Sequence, residues 1–450
     1  MKKLLRITLT AFYTTIIVLG FAMPLNLPNG TWQQQFMPNM NGRTIQDIQF
    51  IDSLTGFASA RQTGDTSYIL KTTNGGDSWQ IIFRNLLAME KIQFLNINTG
   101  YSCGAYLFKT TNAGTNWNQV TAPAISPEEL FVLNEDTIWI ISSNSFTGGV
   151  WRTTNGGTTW DQQFTAIKPD KIYMYNARIG FISNSITGSP GIYKTTNSGG
   201  NWLSNLPGEY FYDMHFTDSL TGWKCMPGFI AGDSCVKKTS NGGINWVKQI
   251  LPSGGIITAP VIGKFAFVNE DTIYGVGSSA FYGGGRFRGI IYRTTNRGIN
   301  WLFQVPDTSF GIQGYSFIQF INKNNGWAYY TNRGIHTTNG GDTTFLLGLH
   351  QVSSEVPKEY QLYQNYPNPF NPTTNIKYSV KSQTSNVKLI VFDILGKKIA
   401  ELVNQKQAAG TYEVDFSGNG LSSNVYFYRI EAEEPNGNKF VDSKKMVLLK

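Results

Sequence analysis

Apolar and polar positions alternate along this chain in short runs, and the runs recur. Ile48–Phe57 reads IQFIDSLTGF, Ile92–Tyr101 reads IQFLNINTGY, Met214–Trp223 reads MHFTDSLTGW and Ile318–Trp327 reads IQFINKNNGW. Each has the period of two of a half-buried strand, breaks at Asp or Asn, and resumes at an aromatic, which predicts two strands joined by a tight turn. Three further copies centre on Asn134, Asn176 and Asn269. A second phrase follows each copy. It reads KTTNGGDSW at Lys71–Trp79, KTTNAGTNW at Lys109–Trp117, RTTNGGTTW at Arg152–Trp160, KTTNSGGNW at Lys194–Trp202, KTSNGGINW at Lys238–Trp246 and RTTNRGINW at Arg293–Trp301. A degenerate seventh copy starts at His336 and lacks the Trp, with Phe345 one place beyond. The starts lie 38 to 44 residues apart, with one gap of 55, a period that marks a propeller or a solenoid.

The chemistry of the second phrase explains its repetition. Asn74 and its equivalents can cap backbone N–H groups in a tight turn. Gly76, Gly114, Gly157, Gly199, Gly243, Gly298 and Gly341 hold one position in all seven copies, as a site needing positive φ requires. Thr before the turn and Trp after it favour strands, with the Trp burying between neighbouring sheets. Four short strands per repeat make one propeller blade. Trp32-Gln33-Gln34-Gln35-Phe36 resembles the strand after a repeat turn but has no turn of its own. Residues 31 to 36 are therefore expected to complete the last blade and close the ring. The predicted fold is all-β: a seven-bladed β-propeller over 31–349, a linker at 350–358, and a small β-sandwich over 359–450.

The turn phrase resembles the Asp-box of sialidase-type propellers, S-x-D-x-G-x-x-W, with Thr for Ser and Asn for Asp. Repeats of the form TTNGGxxW also resemble the photosystem II assembly-factor propellers and their bacterial relatives. This likeness implies the fold over about residues 31 to 345 and no particular activity. The last part of the chain differs. Tyr363–Pro372 reads YQNYPNPFNP, which excludes helix. Strands are expected at Thr374–Val380, Val387–Asp393, Gly410–Phe416 and Val425–Glu431, with a hairpin turn at Asp393–Lys398. The YPNPFNP entry, VFDILGKKI at Val391–Ile399, GTYEV at Gly410–Val414, VYFYRI at Val425–Ile430 and the KKMVLLK end resemble the type A sorting domain of the type IX secretion system. Asn424 stands where relatives often carry Gly. The resemblance implies passage through the periplasm, translocation by the type IX machinery acting on residues 359–450, and release or attachment at the outer surface.

The N-terminus agrees with export. Lys2, Lys3 and Arg6 precede an apolar run from Ile7 to Met23, and Gly20 and Ala22 supply the small residues of a cleavage site, so 1–22 reads as a signal peptide. No later segment is long and apolar enough to span a membrane. The formal charge of +8 is carried by the ends, since residues 24 to 355 hold 22 basic and 20 acidic side chains. A nucleic-acid footprint is not expected. Three cysteines exclude a disulfide scaffold or a thiolate zinc site. Cys225 and Cys235 flank a turn and are the candidates for a cross-strand disulfide, with two separate thiols as the alternative. No cofactor or metal set is expected.

Catalytic signatures are absent: the sequence holds no metalloprotease His pair, P-loop or nucleophile elbow. His215, His336 and His350 are scattered, and the Arg residues lack the sialidase Arg-Ile-Pro phrase. Two features invite a functional reading. Aligning the repeats places Asp47, Lys91, Glu129, Lys171, Asp213, Lys264 and Phe317 in one column, expected at one mouth of the channel. These form either blade-to-blade salt bridges or a polar ligand site, with Asp47 and Asp213 as the carboxylates of a glycosidase pair. The second feature is the insertion of the sixth repeat, where Phe281, Tyr282, Arg286, Phe287 and Arg288 make an aromatic, basic and flexible loop suited to recognition. The expected function is a surface or secreted binding module for a protein or glycan. A carbohydrate-active hydrolase and an envelope assembly factor are the alternatives.

Overall fold

The computed structural model describes residues 32–449, apart from 143–147, 185–189, 227–235, 253–256, 342–345 and shorter stretches of one to three residues. The expected signal peptide lies outside the described residues. The chain is all-β, with one 3-10 turn at Thr308–Phe310 among the described residues. Six consecutive antiparallel sheets follow chain order, each starting from an inner strand: Thr44–Phe50, Met89–Phe94, Glu129–Val132, Lys171–Met174, Asp213–Phe216 and Lys264–Phe267. They are blades 1 to 6. The seventh is built of Phe317–Phe320, Gly326–Tyr330 and Arg333–Thr337, and its outer strand is Gln33–Phe36. Gln33 pairs with His336 and Phe36 with Arg333, so the ring closes as the sequence indicates. Neighbouring inner strands touch all the way round, Thr44–Phe50 against Phe317–Phe320 included.

The two repeated phrases are the fasteners of this ring. Thr72 Oγ1 accepts from Gly76 N at 2.9 Å, and Asn74 Oδ1 accepts from Ser78 N at 3.0 Å. The Thr-to-Gly bond recurs in all seven copies, down to Thr337 and Gly341. The recurrent Gly has positive φ in each, from 78° to 94°. The Asp or Asn of the first phrase caps its own turn: Asp52 Oδ1 accepts from Leu54 N and Thr55 N at 2.8 and 2.7 Å.

Between blades the aromatic groups stack in order. Lys71 lies over Phe57 at 5.4 Å, Phe57 stacks on Phe94 of the next blade at 3.7 Å, and Trp117 meets Phe94 edge-on at 5.9 Å. The cation leading each phrase is the register partner of an aromatic in six copies, from Lys71 on Phe57 to Arg293 on Tyr274. Such cross-strand pairs hold register and add cation–π attraction. Trp32 fills the place of the Trp missing from the seventh copy. It meets Phe320 edge-on at 6.0 Å, and Phe320 stacks on Tyr274 of blade 6 at 4.0 Å.

In the seventh copy the cation is replaced by His336, stacked on Trp327 at 4.7 Å. Burial holds its imidazole below the ordinary value of 6.5, and burial does the same to His215. As pH falls, the unfolded chain takes up protons before the folded one. This part of the stability is therefore complete above about pH 6.5 and is lost as the pH drops toward the folded values. His336→Lys, which restores a cation to the seventh copy, is expected to narrow the loss. Melting at about pH 5 and about pH 7.5 reads it as a gap between the two pH values that is smaller in the variant by a few degrees.

Two more sheets follow. One has the order Leu349–Ser353, Gly410–Ser417, Thr373–Val380, Gln361–Leu362; the other Lys398–Gln407, Ser385–Phe392, Asn424–Glu433, Lys439–Leu448. Ile376, Tyr378, Val414, Leu389, Tyr428 and Ile430 from both sheets are buried in one core. The stretch expected to be a linker, 350–358, instead contributes most of the strand Leu349–Ser353, because its backbone finds a partner in Gly410–Ser417. The Pro-rich entry covers the end of the last strand: Phe370 N donates to Val447 O at 2.9 Å and Leu449 N to Phe370 O at 3.0 Å. An otherwise open sheet edge is thereby satisfied.

Candidate functional site

Each inner strand starts at the same mouth of the channel. Its first residues pair with the end of the second strand, as Asp213 does with Cys225, Glu129 with Ile141 and Met89 with Gly104. The hairpin between second and third strands therefore lies at this mouth, and the repeated turns lie at the opposite one. A cavity of about 380 Å³ occupies the centre, lined by Asp47, Lys91, Glu129, Asp213, Lys264 and Phe317 among others. The sequence column is brought together, with Lys171 attached through Glu129.

The charges pair between blades. Lys171 Nζ lies 3.0 Å from Glu129 Oε2 and Lys91 Nζ 3.7 Å from the same oxygen. Lys264 Nζ lies 3.2 Å from Asp213 Oδ1. Burial works against the Glu129 carboxylate, but Lys91 and Lys171 hold it below its usual value. Glu129 in turn holds the Lys91 ammonium above its own, and Asp213 does the same for Lys264. Asp47 differs. Burial pushes its carboxyl up against the pull of Lys91 and Lys264, and it makes no ion pair among the described residues.

Both aspartates also bond the next blade. Asp47 Oδ2 accepts from Ile92 N at 3.1 Å and Asp213 Oδ2 from Phe265 N at 2.8 Å. A second tier repeats the device. The Gln49 amide accepts from Phe94 N at 2.7 Å and donates to Phe94 O at 3.2 Å. Gln93 grips Val132 and Gln319 grips Phe50 in the same way. Each amide imitates one rung of a β-ladder across a gap between blades and satisfies backbone groups that would face the channel. No charge or known motif marks these residues in the sequence. Their signal was the Gln at one column of three IQF copies.

The sixth insertion extends the second and third strands of blade 6 as a paired hairpin. Strand pairing runs to Phe281 opposite Phe287, and Tyr282 N donates to Arg286 O at 2.9 Å. Gly284 and Gly285, at φ 58° and 75°, make the turn. The paired stretch Ser279–Phe281 and Phe287–Gly289 lies past the Lys264–Val276 pair, so the hairpin projects beyond the mouth. Phe281 and Phe287 lie 5.0 Å apart; Arg286 is exposed and Arg288 half-buried. Cys225 is buried in blade 5, and its candidate partner Cys235 lies outside the described residues. Also unforeseen is a clamp beside it. The carboxylate of Glu209 pairs with both Lys224, wholly buried, and Lys237.

Comparison with known proteins fits these parts. Residues 26–220 match the family model of the photosynthesis system II assembly factor YCF48, and residues 364–447 match that of the secretion system C-terminal sorting domain. Over those residues the chain is similar to the two families. The structure of YCF48 bound to D1 peptide is similar at TM-score 0.50 and 16% identity, over 69% of this chain and 98% of that one. It supports the propeller fold. The extracellular domain of a hybrid two-component system from B. thetaiotaomicron gives 0.49 at 10% identity, over 93% of this chain and 57% of that one. The GH74 xyloglucanase from Xanthomonas campestris gives 0.42 at 10% identity, over 86% and 71%. No curated protein matches the chain. The tail directs this sorting-tailed propeller to the cell surface or to secretion, with the secretion machinery as its partner on the way. No helix among the described residues is long and apolar enough to cross a membrane.

Proposed function

We propose that the exported propeller is a binding module that presents the hairpin mouth of its ring to a protein or glycan. The observation that carries this reading is the use made of the two channel aspartates. Asp47 and Asp213 each commit an oxygen to the backbone N–H of the next blade, and Asp213 also holds Lys264. Glycoside hydrolysis needs one carboxylic acid and one carboxylate disposed about a scissile bond, whereas these groups are engaged in fastening blades. Exposed aromatics collect instead at the hairpin mouth, including Tyr106, Tyr212, Phe281, Tyr282, Phe287 and Tyr330. Such side chains supply contact area at low entropic cost.

The purified protein is tested against a polysaccharide panel and against envelope proteins, scoring retention and release of reducing ends. Retention without release is expected. Asp47→Asn and Asp213→Asn are expected to leave retention within about twofold of wild type while lowering the melting temperature, because each weakens an inter-blade bond worth about 1 kcal/mol. Release of reducing ends that both variants abolish would establish a hydrolase instead.

A further inference from the structure

The hairpin of blade 6 does not stand alone. Gly289 N donates to Ile312 O at 2.9 Å and Ser279 Oγ to Gln313 O at 2.5 Å, which ties one side to the connector entering blade 7. On the other side Ile257 bridges Ala280. Between hairpin and connector lies a cavity of about 280 Å³, lined by Ser279, Phe287, Gln313, Tyr315, Ser316 and Tyr330 among others. Its rim is aromatic and partly exposed: Phe287 at 40% and Tyr330 at 37%. Arg333 is the register partner of Tyr330 and is exposed, as is Arg286 at the hairpin turn. Neither arginine makes an ion pair among the described residues.

We propose that this cleft is a subsite for an acidic polysaccharide bearing uronic carboxylates, a conclusion that rests on the binding reading above. The chemistry selects this class. Ring faces at the rim offer apolar platforms to the C–H face of a pyranose, and the serine hydroxyls and the Gln313 amide meet its hydroxyls. Exposed guanidinium groups receive carboxylates in a planar, two-pronged geometry. An extended peptide is less well served. The usual way to hold one is to add it to a sheet edge, and both edges of this hairpin are occupied at Ala280 and Gly289. The buttressing also holds the hairpin in place before any ligand arrives, which lowers the cost of binding.

The test passes the full-length protein over immobilised polygalacturonate and alginate, and over the same polymers with their carboxyl groups reduced to alcohols. The acid forms are expected to be retained at least about tenfold more tightly, and less so as salt rises. Arg286→Ala with Arg333→Ala should remove that preference, and Phe287→Ala should weaken retention of both forms. All three side chains are exposed, and unchanged melting confirms folding. Equal retention of the reduced polymers, an unaffected double arginine variant, or capture of acidic proteins in place of polyuronates overturns the subsite and leaves the binding reading standing. No retention of any polymer or envelope protein overturns both.

Discussion

Glu209→Gln is expected to destabilise the propeller by about 3 kcal/mol. Lys224 and Lys237 face each other across the ladder of blade 5, and Glu209 gives one oxygen to each. The Lys224 side chain is wholly buried, and burial pulls its ammonium below the ordinary value although Glu209 supports the charge. Removing the carboxylate leaves a buried cation opposite a second cation, with the face of Trp246 at 5.3 Å. Breaking a buried pair costs about 3–5 kcal/mol, and the low end applies because Glu209 is itself 26% exposed. Urea unfolding measures the change. Adding Lys224→Met to the same chain should recover most of it, since an apolar side chain of similar length suits the site. A change below about 0.5 kcal/mol in the single variant would show the pair to be solvated.

The other large effect is expected at the seam. Trp32→Ala should cost about 3–5 kcal/mol. Trp32 is 5% exposed and packs with Tyr274, Ile318 and Phe320 from blades 6 and 7. It is also the side chain nearest the left-handed Gly341, where an added Cβ would lie 2.7 Å from its indole nitrogen. The proper control is Trp202→Ala, which removes an equally buried indole, 6% exposed, from a turn in mid-ring. If both variants lose equal stability, closure holds no special weight. A larger loss at Trp32 ties the stability of the ring to its seam.

Most of the ring was legible because its physics is local. The Thr–Asn–Gly turn is complete within nine residues, so seven copies declared seven turns, and the positive φ at each recurrent Gly follows from the residue type. The stray Trp32 strand was legible for the same reason. The column Asp47, Lys91, Glu129, Lys171, Asp213, Lys264 could be aligned from the repeats, but its pairing could not. Lys91 and Lys171 share Glu129 while Asp47 goes without an ion pair among the described residues, and that choice depends on distances across the channel. Glu209 sits in a connector outside either phrase, so no alignment of repeats could point to it. Likewise the Ile257 bridge and the Ile312 bond that turn the sixth insertion into a fixed hairpin come from connectors of irregular length.

The outer strand of the last blade is drawn from the start of the chain, and this has a consequence for quality control. The hydrogen bond from Tyr329 to Gln35 joins residues 294 positions apart, so the strand Gln33–Phe36 has no partner until the seventh repeat exists. A product truncated anywhere before that repeat keeps an unpaired strand and a bare indole at its beginning. Such edges invite aggregation and proteolysis. The ring thus reports its own completeness: only a chain carrying all seven repeats can hide its first strand.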